Sequence, residues 1–580
     1  MPGISHCRSD FSDQGAGQSY RFPWALLGIL WLATLLCYRH LADDSLWLDE
    51  IYTVWTARLP WSEIPAAAIA SGSQAPLWFW ISHPFVVDGT AEEFLLRFPA
   101  ALAGVVTVAA TYALGRELFG HNAAFWGACL VTLAPLMARY NQEARMYSAL
   151  AAATLLSARF WWRYIHRWRW RDGLGFVVST AAALYLSYFA LFSIVAEIVF
   201  AVTMLWLPPS SKPGEAPVWR RLKRMALVWS GVVLLFLPWA VMALSPFLHH
   251  QSSLAQSVAG WRITLSGAFL LRLFNQLLGG PTLALLLGLS FVGSMTLLLR
   301  KQQWPAAVLA ATWVAVPWLV VIFLQPRRFY VRYMIMLQPM IALVAGAGLQ
   351  WLSQAAINWR GWRWPLRQRT ALVVSLLVGG IVLTHLGPLM NAYAQENEDW
   401  RGLAAYLARE AAPGAVVLCH GEAPGQGGDE GRVRIGLEHY LPRWGREDIQ
   451  LIGVDAVEEI AQRSLAGRQL WGVLWHHAPL GQPSLPAGWE EVEFAQILVV
   501  KSAATASPAS LNEMLELFLL YLPADAPRYH TGLALAKVAA LAGDTAAARG
   551  HLDAASRIRP GGSYADRAWE RAVQVLEGGQ

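Results

Sequence analysis

Eleven runs of apolar residues, each long enough to cross a hydrocarbon core of roughly 30 Å, dominate this 580-residue chain. They lie near residues 22–41, 94–115, 122–139, 146–164, 174–190, 191–208, 225–244, 281–299, 305–324, 332–352 and 371–388. In lipid a spanning segment must satisfy its own backbone hydrogen bonds, so runs of this length without period-two alternation are expected to be helices. The expected architecture is therefore an all-α polytopic membrane domain over residues 22–390. Only 14% of residues are charged and 56% are hydrophobic, which excludes a disordered chain and argues against a purely soluble enzyme. The boundary between the fifth and sixth runs is open, because residues 175–207 are almost uninterrupted and could form one tilted helix plus an excursion. Residues 245–280 are also ambiguous.

Charge sets the expected orientation. Basic residues cluster at Arg163 to Arg171, Lys212 to Arg224, Arg300 with Lys301, and Arg360 to Arg369. With eleven crossings and a cytoplasmic tail at residues 1–21, all of these fall inside, as the positive-inside rule asks. The long loop at 42–93 holds Asp43, Asp44, Asp49, Glu50, Glu63, Asp88, Glu92 and Glu93 against the single base Arg58, and falls outside. The net charge of +6 is thus a matter of membrane orientation, and no nucleic-acid module accompanies it. The polar first 20 residues, with Asp10 and Asp13, read as a tail before an uncleaved first helix. Cys7, Cys37, Cys129 and Cys419 are too scattered for a disulfide framework or a zinc cluster.

Beyond the last run, residues 393–502 mix helical periodicity with strand-like runs at 415–419, 450–454, 469–475 and 493–501, which predicts a small extracytoplasmic α/β domain. A Ser, Ala and Pro-rich stretch at 503–510 reads as a linker. Residues 510–580 read as a TPR-like helical segment, with a hairpin at 529–562 carried by Leu535, Ala536, Gly543, Ala548, Leu552, Ala555 and Pro560. One such repeat cannot bury its own face and needs helices at about 511–522 and 564–576. A partner-binding module and an Ala-rich capping bundle both fit.

The chemistry is expected at the outer mouths. Asp49 and Glu50 directly follow the first span, where burial beside apolar residues would tune a general base and its partner; two solvated acids are the alternative. Asp43 and Asp44, a few residues earlier, read as solvated. The second outer loop carries Arg139, Asn141, Gln142, Glu143, Arg145 and Tyr147. Glu143 is a candidate acid there, although an i,i+4 pair with Arg139 also accounts for it. Gln325 to Tyr333 puts Arg327, Arg328 and Arg332 outside, against the charge rule. Guanidinium groups at headgroup level suit phosphate, with Tyr330 and Tyr333 beside them; anchoring to anionic lipid is the plainer reading. The segment from Gln74 to His83 is short and aromatic and suits the interface. His83 is either a base or metal ligand or, more plainly, structural. His249 and His250 are a further cation-site candidate.

This ordered set resembles the family 39 glycosyltransferases, relatives of protein O-mannosyltransferases and bacterial aminoarabinose transferases. The resemblance rests on Asp49-Glu50, Pro76 to Trp78, Arg97-Phe98-Pro99, Gln142 to Tyr147 and the late Arg-rich run, across residues 20–390. It implies a GT-C fold and a polyprenyl-phosphate-linked sugar donor. It also implies inversion by direct displacement and a plasma-membrane site facing outward. By position it implies Asp49 as the base with Glu50 beside it and Glu143 as a second functional acid; Arg327, Arg328 and Arg332 are expected at the donor phosphate from their guanidinium chemistry. Gln142, Arg145, Tyr147, Tyr330, Tyr333 and His83 are the expected substrate contacts. The acceptor is a glycan, lipid or protein, and nucleic acid is not expected.

The chain departs from the family at Ala75-Pro76, where many relatives have Pro-Pro, and at Ser187-Tyr188, where many have a His before the Tyr. No metal residue is therefore assigned, and a divalent metal stays an open alternative. The rival readings are a lipid-linked-sugar transporter or flippase and a scaffold. The expected clustering of acids in outer loops, not in mid-span, speaks against transport.

Overall fold

The computed structural model describes residues 24–70, 74–86, 92–206, 217–257, 267–278, 288, 304–324, 330–359, 364–394, 397–420, 432–458, 467–475, 485–522, 525–559 and 563–578. The membrane half begins with α1 (Trp24–Tyr38), α2 (Leu48–Ala57), α3 (Ile64–Ala70), α4 (Leu77–Ser82) and α5 (Glu93–Leu118). It continues with α6 (His121–Thr132), α7 (Pro135–Tyr140), α8 (Tyr147–Arg167), α9 (Trp170–Leu186), α10 (Ala190–Trp206), α11 (Val218–Ser257) and α12 (Gly267–Leu278). It closes with α13 (Trp304–Leu324), α14 (Leu337–Ile357) and α15 (Leu366–Ala394).

Helices occupy ten of the eleven expected runs; the run at 281–299 lies outside the described residues. Five helices, within α5, α11, α13, α14 and α15, are long and apolar enough to cross a membrane by themselves, and α1 and α10 are apolar but shorter. This is a multi-pass membrane protein. The fifth and sixth runs are separate helices, since the chain turns extended at Ser187 between α9 and α10. The third run breaks into α6 and α7 at Ala134, which is extended ahead of Pro135, because the proline ring disfavours helical geometry in the residue before it. Large apolar side chains such as Leu234 on α11 and Leu383 on α15 are exposed, as lipid-facing residues are.

Helix packing is closest between α6 and α14. A Cβ added to Gly346 would meet Ala123 O at 2.4 Å and Gly127 N at 2.6 Å, so the two backbones touch as small-residue membrane interfaces do. Glu197 lies in mid-helix, contrary to the expectation that acids keep to the loops. Glu197 on α10 is fully buried and accepts a hydrogen bond from Ser157 Oγ of α8 at 2.7 Å. That Ser hydroxyl is also 2.8 Å from Thr180 Oγ1 of α9, so the carboxyl ties these helices together through short polar side chains.

The C-terminal half comprises α16 (Trp400–Glu410), β1 (Val416–His420), α17 (Arg432–Tyr440), β2 (Gln450–Gly453), β3 (Gln469–Trp475), β4 (Glu490–Phe494) and β5 (Ile497–Thr505). The strands form one sheet in the order β2-β1-β3-β5-β4, parallel across β2-β1-β3 and antiparallel across β3-β5-β4. The apolar run of β1 is buried throughout, as a central parallel strand covered on both faces must be. The run read as one strand at 493–501 is a hairpin instead, turning at Ala495 with φ of 51°. The expected linker at 503–510 is ordered: β5 continues to Thr505, and Ser507 caps α18 (Pro508–Tyr521) with Pro508 at its first turn. Ser and Pro serve there as helix-start residues, a role that composition alone does not separate from a linker.

Three helices follow, α19 (Asp525–Leu541), α20 (Thr545–Arg557) and α21 (Ser563–Gly578). Leu535 and Val538 of α19 share a core with Leu418 of β1 and Phe518 of α18, so the hairpin is packed onto the sheet.

The two halves meet over the loop at 42–93. Leu46, Ile51, Leu96 and Ala144 share one core with Trp400, Tyr440, Val473 and Trp475. Tyr440 Oη accepts from the Leu46 amide at 2.8 Å and donates to Glu93 Oε1 at 2.9 Å. Arg443 reaches the same oxygen at 3.2 Å, and Arg401 donates to the carbonyls of Ala42 and Asp43.

Candidate active site

The site is built around the first turn of α2. Trp47 is extended, and its amide donates to Glu50 Oε2 at 3.3 Å, the reach-back that satisfies an otherwise orphaned donor at a helix start. Glu50 is fully buried. Arg97 of α5 clasps it through Nε to Oε1 at 2.8 Å and Nη2 to Oε2 at 2.7 Å, and the Ala144 amide donates to Oε1 at 2.6 Å. The remaining guanidinium donors of Arg97 go to the carbonyls of Leu41, Asp44 and Ser45. Glu50 is thus enclosed by donors that tie α2, α5 and the second loop together.

Asp49, one residue earlier, points elsewhere, because consecutive helical residues are separated by about 100° around the axis. It is half-buried, and its Oδ2 lies 4.0 Å from Arg332 Nη2. The Arg332 guanidinium sits over the rings of Tyr330 at 4.6 Å, Tyr333 at 5.7 Å, Trp47 at 5.8 Å and Tyr147 at 5.8 Å from ring centroid. Tyr333 in turn stacks on Phe189, just after the turn between α9 and α10, with centroids 4.0 Å apart. Aromatic faces hold a cation in place while leaving its N–H edge free to bind an anion.

Glu143 lies on the loop between α7 and α8 and is buried. Arg139 Nε donates to its Oε1 at 3.2 Å, so the i,i+4 pair exists, while Oε2 has no hydrogen-bond partner among the described residues. Burial pushes its carboxyl up to about 7, against the pull of Arg139 and with Glu50 adding repulsion. A carboxyl with a pKa near neutrality and one open oxygen beside a cation is suited to proton transfer or to holding a hydroxyl.

Other expected contacts are placed differently. Gln142 Nε2 donates to the carbonyls of Leu36 at 3.2 Å and Arg39 at 2.6 Å, closing the end of α1. Arg145 Nη1 donates to the Asp49 carbonyl at 3.2 Å, bracing α2 from behind. His83 Nδ1 is 2.6 Å from the Ala57 carbonyl at the end of α2, and its ring stands edge-on to Trp61. Both histidine contacts are made within the first loop, which is the structural reading. Tyr147, Tyr330 and Tyr333 do surround Arg332. Arg327, Arg328 and the side chains of His249 and His250 lie outside the described residues. Asp43 and Asp44 are exposed.

Trp78, from the aromatic segment of the first loop, and Thr53, which the sequence did not single out, both reach the second loop. Trp78 Nε1 donates to the Ala144 carbonyl at 2.8 Å, and Thr53 Oγ1 approaches the same oxygen at 3.3 Å, so the family-like segments converge on one loop. Glu398, just past α15, is buried, and its Oε1 accepts from the Trp475 indole at 3.2 Å. Its only sequence signal is an acid next to a helix-capping Asp399. Among the described residues no three His, Cys, Asp or Glu side chains group as metal ligands do.

Residues 73–212 match the family described as dolichyl-phosphate-mannose-protein mannosyltransferase. The crystal structure of ArnT from Cupriavidus metallidurans bound to undecaprenyl phosphate superposes with a TM-score of 0.54 at 14% identity, covering 84% of this chain and 99% of that one. The chain has the GT-C glycosyltransferase fold. The archaeal oligosaccharyltransferase AglB from Archaeoglobus fulgidus, in complex with an inhibitory peptide and a dolichol-phosphate, superposes with a TM-score of 0.50 at 12% identity over 79% of this chain and 70% of that one. No curated protein sequence matches significantly. The family match takes in the Gln142 to Tyr147 loop and stops short of Asp49 and Arg332.

Proposed function

We propose that the chain is an integral-membrane glycosyltransferase that moves a sugar, with inversion, from a polyprenyl-phosphate donor to an acceptor hydroxyl on the outer face of the plasma membrane. The observation that carries this reading is the juxtaposition of Asp49 with Arg332 inside a collar of aromatic rings. The undecaprenyl phosphate bound by ArnT and the dolichol-phosphate bound by AglB support a lipid phosphate as the anion.

In this mechanism Asp49 takes the proton of the acceptor hydroxyl while the hydroxyl oxygen attacks the anomeric carbon from the face opposite the phosphate. The bond from that carbon to the phosphate oxygen breaks, and the lipid phosphate leaves with the electron pair. Arg332 stabilises the charge that develops there, with Arg327 and Arg328 as further candidates. A positioned base contributes roughly 10²- to 10⁴-fold, and one preorganised charge-stabilising donor roughly 10²- to 10³-fold. Glu50 is assigned to positioning, since its oxygens are already engaged. Glu143, with an open oxygen, is assigned to the acceptor. In this reading no nucleotide is needed, because the donor arrives already activated.

The test is transfer of label from a polyprenyl-phosphate sugar in membranes containing the full chain or its Asp49→Asn variant. A loss of about 10²-fold or more is expected; undiminished turnover removes Asp49 from the reaction. Movement of labelled lipid across reconstituted vesicles without covalent transfer would establish a transporter instead.

A further inference from the structure

The helix bundle carries a cluster of cations at the end away from Asp49. α8 starts at Tyr147, beside Arg332, and its 21 residues take the chain about 30 Å to Arg167. α9 returns from Trp170 to the turn at Ser187, close to the Phe189 ring that stacks on Tyr333. α11 runs beside α9 in the same direction. A Cβ added to Gly173 would meet Val228 at 3.3 Å, and one added to Gly231 would meet Val177 at 3.2 Å. The end of α8 and the starts of α9 and α11 therefore lie together.

Cations sit over indole rings at this end. Arg220 and Lys223 share Trp219, at 5.4 and 4.8 Å from its centroid, and Arg224 lies 5.6 Å from Trp168. The arrangement is braced by the backbone. Trp168 turns left-handed, with φ of 53°, and its amide donates to the Tyr164 carbonyl at 2.8 Å. That geometry is uncommon for a bulky residue and marks a constraint imposed by its surroundings. Tyr164 Oη in turn donates to the Arg224 carbonyl at 3.0 Å. Further along the same three helices, Phe176 packs on Trp161 at 4.5 Å and on Trp229 at 5.0 Å, so the cation-bearing turns rest on a packed aromatic base.

The charge here is unbalanced. α8, α9 and α11 contain one acid, Asp172, which is buried and lies 3.2 Å from Arg163. Glu117 of α5 is taken by Arg159 at 3.0 Å. Arg220, Lys223 and Arg224 are exposed within the first two turns of α11, where positive charge opposes the helix dipole and like charges three or four residues apart repel. An anion relieves both costs. The apolar surface says which kind: Trp170, Leu174 and Val178 form an exposed stripe down α9, and Leu222, Leu227 and Leu234 are exposed along α11. A soluble anion has no use for such a surface, whereas acyl chains cover it.

We propose that this end of the bundle binds the phosphodiester headgroup of an anionic diacyl phospholipid in the leaflet opposite Asp49. Arg220 and Lys223 hold the phosphate, Arg224 lies alongside, and the acyl chains run down α9 and α11. This lipid is a resident ligand, separate from the sugar donor, and the inference does not depend on glycosyl transfer.

Native mass spectrometry of the full chain in detergent tests this, with titration by dioleoyl phosphatidylglycerol, dioleoyl phosphatidylcholine or inorganic phosphate. A basic residue at an anionic lipid surface is worth roughly fivefold in affinity. The two cations on Trp219 should therefore favour phosphatidylglycerol over phosphatidylcholine by about 25-fold or more, with no competition from phosphate. The double variant Arg220→Gln and Lys223→Gln is expected to lose that margin. Glutamine is as good a helix former as the residues it replaces. Trp219→Leu keeps both charges and should weaken phosphatidylglycerol binding about fivefold. Arg367→Gln with Arg369→Gln removes the same charge from the start of α15 and should keep the margin. Equal loss in the two double variants would show only a diffuse attraction of charge. Displacement of the lipid by phosphate would show a soluble-anion site, and equal affinity for the two lipids would show no recognition of the headgroup. Each of these three results overturns the proposal.

Discussion

Arg332 Nη2 stands 4.0 Å from Asp49 Oδ2, joining the segment before α14 to the start of α2. The contact is a loose one, and the guanidinium owes its position more to the rings of Tyr330, Tyr333, Trp47 and Tyr147 than to the carboxylate. Lysine would keep the charge and lose the planar stacking. Cation–π contacts are worth about 0.5–2 kcal/mol each, so Arg332→Lys is expected to lower kcat/KM for the lipid donor at least tenfold. Steady-state transfer at varied donor concentration checks this; wild-type kcat/KM in the lysine variant would show that charge alone suffices.

The neighbouring acid should behave differently. Glu50 and Arg97 form a buried pair, and removing one partner leaves an uncompensated charge that costs about 3–5 kcal/mol. Glu50→Gln is therefore expected to lower the thermal midpoint in detergent strongly, and Asp49→Asn to leave it within a degree or two. Equal midpoints for the two variants would contradict the division of labour between adjacent acids.

That division shows what the sequence could and could not disclose. The apolar runs announced the helices, because the demand for internal backbone hydrogen bonds leaves lipid-embedded segments little choice. The Asp49-Glu50 motif announced a site, but two adjacent acids look alike until a helix turns them apart and Arg97 takes one. His83 and Gln142 looked like contacts for substrate because a polar side chain in an apolar segment has no other evident use. Their partners are carbonyls at helix ends, which no side-chain pattern reveals. Glu398 carries no signal beyond its place next to the helix-capping Asp399, since its partner Trp475 is far away along the chain.

Two buried carboxyls give the fold a pH dependence of definite sign. Burial pushes both Glu143 and Glu398 up to about 7 from an ordinary value of 4.5. Each binds its proton more tightly when folded, so the native state holds more protons than the unfolded chain between these values, and stability falls as pH rises through that window. Each shift is on the order of 3 kcal/mol by linkage. Thermal unfolding in detergent should give a lower midpoint at pH 8 than at pH 5.5. Glu143→Gln should shrink that difference, and an unchanged difference would mean that Glu143 does not titrate in this range.

The closest helix contact sets a limit on substitution in the membrane half. At Gly346 an added Cβ meets backbone atoms of α6, Ala123 O at 2.4 Å and Gly127 N at 2.6 Å, and backbone cannot swing aside as a side chain can. Gly346→Ala must push α6 and α14 apart, with an overpacking cost of about 1–3 kcal/mol. Gly379 on α15 is the control, because a Cβ there meets nothing within 4 Å. Gly379→Ala should be neutral or stabilise by roughly 0.5–1 kcal/mol through helix propensity. Both variants change the same atoms in the same kind of helix, so opposite shifts of the midpoint isolate the contact itself. Equal shifts would show that the α6–α14 spacing can relax, and the aromatic collar carried just ahead of α14 would then have a less rigid base.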